Sequence, residues 1–372
     1  MTMRKKIAFI KIGDFSFINP SLIQQMERMF PEYDLDVIDL KHWINSDKTL
    51  KARFTLAALR EYWKPIMQRK RSISQNFFST HYSTRKVKQY IQQRVNPRDY
   101  VFTFETQSMF DASVPTVPHF MYTDHTVKAN LRYPVFDPEQ VLFSKAWSQN
   151  ETAIYGNPDV IFTASEFARQ SVIEDYGRDP NDVECVYTGI NVVIDPPQQK
   201  QYNGQHILFV GVEWERKGGP EVVAAFEQAL KVCPDARLTI VGCSPTVNIA
   251  NCNVIGRIPR EQVAQYYRDA SIFFMPSRIE PAGIAFTEAA MYKLPIISAK
   301  SGGIPDRVIH GETGYLANVG DVDMMATYLI DLLQHPARCQ QFGEAGYHLA
   351  QSEFTWDRVG ERIQRRIQPF LA

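Results

Sequence analysis

In the stretch EPAGIAFTEAA two glutamates, Glu280 and Glu288, stand eight positions apart around a Pro-Ala-Gly turn and a short apolar run. An unpaired carboxylate among apolar neighbours is costly to bury, so both are expected to hold a polar partner. A carboxylate accepts two hydrogen bonds side by side. That suits Glu288, over a turn into the helix, to the paired hydroxyls of a ribose, and Glu280, in the loop before it, to a sugar hydroxyl. A helix starting near Gly283 would leave the amides of Gly283, Ile284 and Ala285 open to a diphosphate. The plainer alternatives are a helix-start carboxylate for Glu280 and a solvated helix face for Glu288.

A second such stretch is FVGVEWERKGG (209–219). A strand runs into Gly211, then come a polar loop, Lys217, a glycine pair and a helix beginning near Pro220. The ammonium of Lys217 beside that helix start would pair with a phosphate as a point charge. The Walker order is absent, and Lys217 also reads as an ordinary surface lysine beside a glycine turn. In SGGIPDRVIHGETG (301–314), Gly302 and Gly303 permit a tight turn and close approach of a ligand. Gly311 and Gly314 read as turn residues, and Asp306 as a helix-start charge. TDHTVKANLRY (123–133) places His125 just past a strand end, where a lone histidine is more often structural than functional; His119, within the strand, is assigned to the core. Gly13, after the first strand, is expected to pass close to a donor sugar.

These loops need elements to hold them. Strand-like runs at 7–12, 35–40, 100–104, 117–122 and 159–164 alternate with helical patterns, and after the polar stretch DPPQQKQYNGQ (195–205) the alternation restarts at 206–211, 236–242, 252–256, 271–276 and 294–299. Strand–helix–strand alternation implies parallel sheets covered by helices, hence an α/β chain with two Rossmann-like domains facing a cleft. The domains are expected at 1–195, acceptor-binding, and 196–352, nucleotide-binding, with 353–372 as a helix crossing back to the first. Ligands of such sheets bind beyond the carboxyl ends of the strands, where the candidate loops lie.

The 372 residues are 44% apolar and 22% charged, with Lys plus Arg equal to Asp plus Glu. That composition fits two globular domains and gives no support to a nucleic-acid partner. The five cysteines share no metal spacing and are expected as buried thiols of a reducing compartment. The start MTMRKKIAFIKIGDF resembles a first strand more than a signal peptide, and no apolar run reaches the roughly 20 residues needed to cross a bilayer. A cytoplasmic protein is expected, with membrane contact only at its surface. One segment invites such contact. Over 48–94 twelve basic residues meet a single acid, Glu61, with Trp63, Phe77, Phe78, Tyr82 and Tyr90 interleaved. Anionic lipid attracts segments of this kind, and aromatics suit its interface; an anionic acceptor groove and plain solvated helix faces are the rivals.

Taken together, FVGVEWERKGG and PSRIEPAGIAFTEAAMYKLPIISAKSGGIPDRVIHGETGYLA resemble the retaining glycosyltransferases of family 4, which have the GT-B fold. The likeness is strongest over 206–335; the N-terminal half matches in organisation only. It implies transfer of a sugar from a nucleotide diphosphate sugar, of UDP or GDP type, to a glycan, lipid or lipid-linked acceptor, with retained configuration, front-face attack and neither metal nor cofactor. It gives Lys217 the diphosphate, Glu288 the ribose, Glu280 the donor sugar and His125 the acceptor side, with Gly283–Ala285 supporting the leaving phosphate. Three positions depart from the family pattern. Val212 stands where Arg is frequent, with Arg216 as its substitute; Gly13 stands alone instead of in a pair; and Asp306 replaces a common Glu. The rivals are a sugar-nucleotide epimerase of the same shape and a non-catalytic two-domain sugar-binding protein.

Overall fold

The computed structural model describes residues 4–14, 18–137, 144–191, 200–202 and 205–371. Of the polar stretch that holds the expected 195/196 boundary, residues 195–199 and 203–204 lie outside that set. Contacts divide the chain into two units. The N-terminal unit comprises Met1–Arg132, Phe136–Tyr187 and Trp356–Ala372, and the C-terminal unit Tyr133–Val135 and Thr188–Thr355.

The N-terminal unit has a six-stranded sheet of β1 (Lys6–Lys11), β2 (Asp34–Asp39), β3 (Tyr100–Thr106), β4 (His119–Thr123), β5 (Val160–Thr163) and β6 (Val183–Cys185). Its order is β2-β1-β3-β4-β5-β6, every pair parallel. The central strands are buried on both faces, as parallel sheets under helices are: Phe9, Phe102, Phe104, Phe120 and Phe162 are all fully covered. Leu40 does not continue β2 as its apolar character implied. Asp39 accepts the amides of Lys41 and His42 and so starts a helix, Leu40–Ser46. The helix Trp356–Ile367 packs on Ile18–Met29, where a Cβ at Gly360 would stand 2.0 Å from Met29 Cε.

The C-terminal unit has β7 (His206–Val210), β8 (Arg237–Val241), β9 (Cys252–Gly256), β10 (Ile272–Phe274), β11 (Ile296–Ala299) and β12 (Gly314–Ala317), in the order β12-β11-β10-β7-β8-β9, again all parallel. The strand order reverses between β7 and β10, and a ligand crevice forms at such a point. Gly314 is no turn residue. It opens β12, and a Cβ there would stand 2.1 Å from the Ile296 carbonyl oxygen. Cys233 and Cys339 are buried, whereas Cys185, Cys243 and Cys252 are only partly so.

Candidate active site

The loops after β7 and β10 are stapled to each other. The Arg278 amide donates to the Arg216 carbonyl at 2.9 Å, and Arg216 Nη1 returns to the Ile279 carbonyl at 2.8 Å. Gly218 sits at φ 75°, and a Cβ there would stand 2.1 Å from the Pro276 carbonyl oxygen, so only glycine lets the loops close up. The two glycines that start the flanking helices, Gly218 before Gly219–Leu230 and Gly283 before Ile284–Met291, are both left-handed.

This closure joins two residues 63 apart in sequence. Lys217 Nζ donates to Glu280 Oε2 at 2.5 Å, and both side chains are nearly buried. Burial alone pushes the Glu280 carboxyl up; Lys217, then Arg216 and the Gly283 amide, more than reverse that and hold it below the usual carboxylate range. The Gly283 amide is therefore not free as expected from sequence: it donates to Glu280 Oε1 at 3.3 Å. The next two amides, Ile284 and Ala285, open the helix and have no partner within it. Gly302, at φ 53°, fits against the Glu280 carbonyl, and the Gly303 amide donates to that oxygen at 2.9 Å. Arg216 pairs with Glu213 as well as with the Ile279 carbonyl, so its guanidinium is committed to the loop.

Glu288 answers its burial differently. Arg260 Nη2 donates to its Oε1 at 2.6 Å, and the Tyr267 hydroxyl approaches Oε2 at 3.4 Å. These residues line a cavity of about 670 Å³ with Val210, Val263 and Tyr292. Both glutamates are thus paired with cations of the protein itself, and each carboxylate keeps further lone pairs for a ligand. Sequence reasoning missed Arg260 and Tyr267. One signal was present: Arg260 is the first residue of the helix Arg260–Asp269, where the helix dipole disfavours a cation. It also missed Arg307, only 2% exposed, whose Nε donates to the Ala282 carbonyl at 3.0 Å and whose guanidinium lies 3.9 Å from the Phe354 ring centroid.

In the N-terminal unit, His125 follows β4. Its Nε2 meets Asn130 Oδ1 at 3.0 Å, and its ring stacks on Phe167. Burial pushes the imidazole down, with only Asn130 opposing, so the ring is neutral near pH 7. Gly13, at φ 56°, donates its amide to Asp39 Oδ1 at 3.1 Å. His119 is a core residue on β4, bonded to Thr103 at 2.8 Å. The basic segment departs from expectation. Phe77, Phe78 and Tyr82 pack around the buried Phe54, and Tyr90 stacks on Trp43 at 3.9 Å; of the five aromatics only Trp63 is exposed, at 63%. Among the described residues no group of three or more His, Cys, Asp or Glu could hold a metal ion, and no helix is long and apolar enough to cross a membrane.

Solved structures share this architecture. A sucrose-phosphate synthase from Thermosynechococcus elongatus superposes with a TM-score of 0.68 at 18% identity, over 98% of this chain and 99% of its own. Anabaena HepE, crystallised with UDP and glucose, gives 0.65 at 14% identity, over 98% and 100%. The fold is therefore GT-B. In sequence, the GDP-mannose-dependent alpha-(1-6)-phosphatidylinositol monomannoside mannosyltransferase of Mycolicibacterium smegmatis is 32% identical over 40% of this chain and 44% of its own. The D-inositol 3-phosphate glycosyltransferase of Corynebacterium diphtheriae is 25% identical over 66% and 64%. The chain thus matches less than half the length of the first of these relatives. The family model of the glycosyl transferases group 1 matches residues 194–349, a span that holds Lys217, Glu280 and Glu288. Over residues 194–349 the chain is therefore similar to the group 1 glycosyl transferases.

Proposed function

We propose that the chain is a retaining glycosyltransferase that moves a hexose from a nucleoside diphosphate sugar to an acceptor hydroxyl. The observation that carries this reading is the Lys217–Glu280 pair at the point where the second sheet reverses, beside the open amides of Ile284 and Ala285. Cationic and amide donors fixed in place before the reaction are what a departing diphosphate needs. Lys217 and those amides take the diphosphate, Gly283 shapes their turn, and Arg216 holds the loop that carries Lys217. Glu280 accepts a hydroxyl of the donor sugar and Glu288 the ribose diol. His125, neutral, serves the acceptor side, and Gly13 lets the chain pass close to the sugar. These donors supply the positive charge, so neither a metal nor a cofactor is called for. The family supports a nucleotide-sugar donor. The names of the relatives above, acting on a phosphatidylinositol monomannoside and on inositol 3-phosphate, favour an acceptor of that general kind.

The test is thermal unfolding with UDP, GDP, ADP and their glucose, mannose and galactose conjugates. A ligand at 100 times its dissociation constant adds about 2.7 kcal/mol. The expected result is a shift with one base that disappears in Glu288→Ala. Turnover of a donor to its epimer with no acceptor present would replace the transferase by an epimerase.

We also propose that 48–94 touches anionic lipid. Leu56, Trp63 and Met67 are exposed apolar side chains, 63–76% accessible, on the two helices that also carry Arg53, Arg60 and Lys64. Binding to anionic vesicles should fall steeply with salt, and equal binding to neutral vesicles refutes it.

A further inference from the structure

The loop after β11 holds the backbone of the loop after β10 from one side. The Ser301 hydroxyl donates to the Arg278 carbonyl at 2.7 Å, the Gly303 amide to the Glu280 carbonyl at 2.9 Å, and Arg307 Nε to the Ala282 carbonyl at 3.0 Å. Alternate carbonyls are thus taken in turn. Of the three donors only Arg307 carries a charge, which strengthens its hydrogen bond. It also acts closest to the helix Ile284–Met291, whose first amides are the ones assigned to the diphosphate above.

The Ala282–Gly283 peptide stands just before that helix. Its N–H donates to Glu280 Oε1 at 3.3 Å and its carbonyl accepts from Arg307, so a charged side chain grips each end. Gly283, at φ 73°, would otherwise let this peptide turn, because glycine tolerates φ of either sign. A turned peptide would point its carbonyl at the Glu280 carboxylate and change the direction in which the helix leaves the loop. The stem of Arg307 packs against the same turn: a Cβ on Gly283 would stand 3.1 Å from its Cγ. The guanidinium is fixed in its own right, with its central carbon 3.9 Å from the Phe354 ring centroid and Nη1 3.5 Å from the Thr188 carbonyl. Being 2% exposed, it has no surface to offer a ligand and acts only through the turn that it holds.

We infer that Arg307 is a positioning residue for the transfer: by holding the Ala282–Gly283 peptide it aims the amides of Ile284 and Ala285 at the departing phosphate. The inference rests on the transferase reading, because it needs a diphosphate at those amides. Its effect falls on the terminal phosphate of the nucleotide and leaves the cavity at Glu288 alone.

UDP, UMP, GDP and GMP, titrated by calorimetry into the full chain, Arg307→Met and Arg307→Lys, test this. The unaltered chain should bind one diphosphate more tightly than its monophosphate. Arg307→Met keeps an apolar stem under Gly283 and loses the donor. In it that preference should shrink about fivefold, the worth of one misdirected amide hydrogen bond, while the monophosphate binds as before and so reports an intact fold. Arg307→Lys keeps the charge and a donor for Ala282 and should lie between the two. The inference is overturned if the preference survives in Arg307→Met, or if monophosphate and diphosphate lose affinity equally, the mark of a merely structural role. Where Arg307→Met does not fold, Arg307→Lys decides, and an unchanged preference there overturns the inference as well. Failure of both diphosphates to bind the unaltered chain removes the donor reading and this inference together, whereas binding with an unaffected preference removes the role of Arg307 alone.

Discussion

Both sheets reverse their strand order once, but they use the reversal differently. In the C-terminal unit it falls between β7 and β10, and the two loops that leave it are stapled by Arg216 and Arg278 until Lys217 and Glu280 touch. In the N-terminal unit it falls between β1 and β3. The β1 loop there is pinned sideways to Asp39, and His125, after β4, is held by the neutral side chain of Asn130. Opposite charges locked together suit a part that must meet a charged diphosphate, and neutral contacts suit a part that must meet a hydroxyl. What separates the units is whether opposite charges join the loops that leave the sheet.

The strongest way to break this contrast is to remove half of the locked pair. Lys217→Ala or Glu280→Ala should each cost about 3–5 kcal/mol in denaturant unfolding, because each leaves a nearly buried charge alone. Transfer should fall by roughly 10²–10³ where a preorganised donor to the leaving group is lost. The double variant should be less destabilised than the two singles summed. Simple additivity would show that the pair is not a unit.

Next in size is Glu288, whose partners Arg260 and Tyr267 leave it at the wall of the larger cavity. Glu288→Ala should weaken nucleotide binding by roughly 10–150-fold, the value of a hydrogen bond to a charged group. His125→Ala should leave nucleotide binding alone and lower the rate of transfer. Equal loss of nucleotide affinity in both would remove His125 from the acceptor side.

The backbone around Glu280 gives a smaller, sharper comparison. Gly302→Ala would place a Cβ 2.1 Å from the Glu280 carbonyl oxygen at φ 53°, and should cost about 1–3 kcal/mol in unfolding free energy. Gly311→Ala, also left-handed at φ 80° but with nothing within 4 Å of its Cβ, should cost less. Equal costs would mean that strain, not the close approach to Glu280, explains Gly302.

How far the sequence foretold this site depends on what kind of signal each residue leaves. Ten strands were legible as apolar runs, whereas β6 and β12 are too short and too mixed to stand out, and β12 begins with a glycine that resembles a turn. Lys217 and Glu280 were legible because they lie in loops beside strand ends and glycine turns, and Glu288 because it lies one turn into the helix that such a loop starts. Their partners were not. Arg260 comes from another helix, and which cation meets which carboxylate is settled only by how the elements pack; Arg307 reaches the loop through the Ala282 carbonyl instead. The aromatics of 48–94 misled for a related reason: composition marks them as interfacial, but four of the five are packed onto Phe54 or Trp43.

The last comparison is one of pH dependence, and it tests the N-terminal unit alone. Glu151 is 2% exposed; its Oε1 accepts the Val127 amide at 3.3 Å, and it thus holds the loop that carries His125. Burial pushes its carboxyl up from 4.5 to about 7, against the pull of Tyr176, Val127 and Lys128. A carboxyl that is harder to ionise folded than unfolded favours the fold while it is protonated in both states. That contribution is full below about pH 4.5 and is lost as pH rises to about 7. Glu151→Gln cannot ionise, so the fall in unfolding free energy between those pH values should flatten in the variant while the plateau above pH 7 rises. An unchanged slope would mean that Glu151 is already ionised in the folded protein, held by Lys128, and that the loop under His125 is fixed by charge, as the Lys217–Glu280 pair is in the other unit.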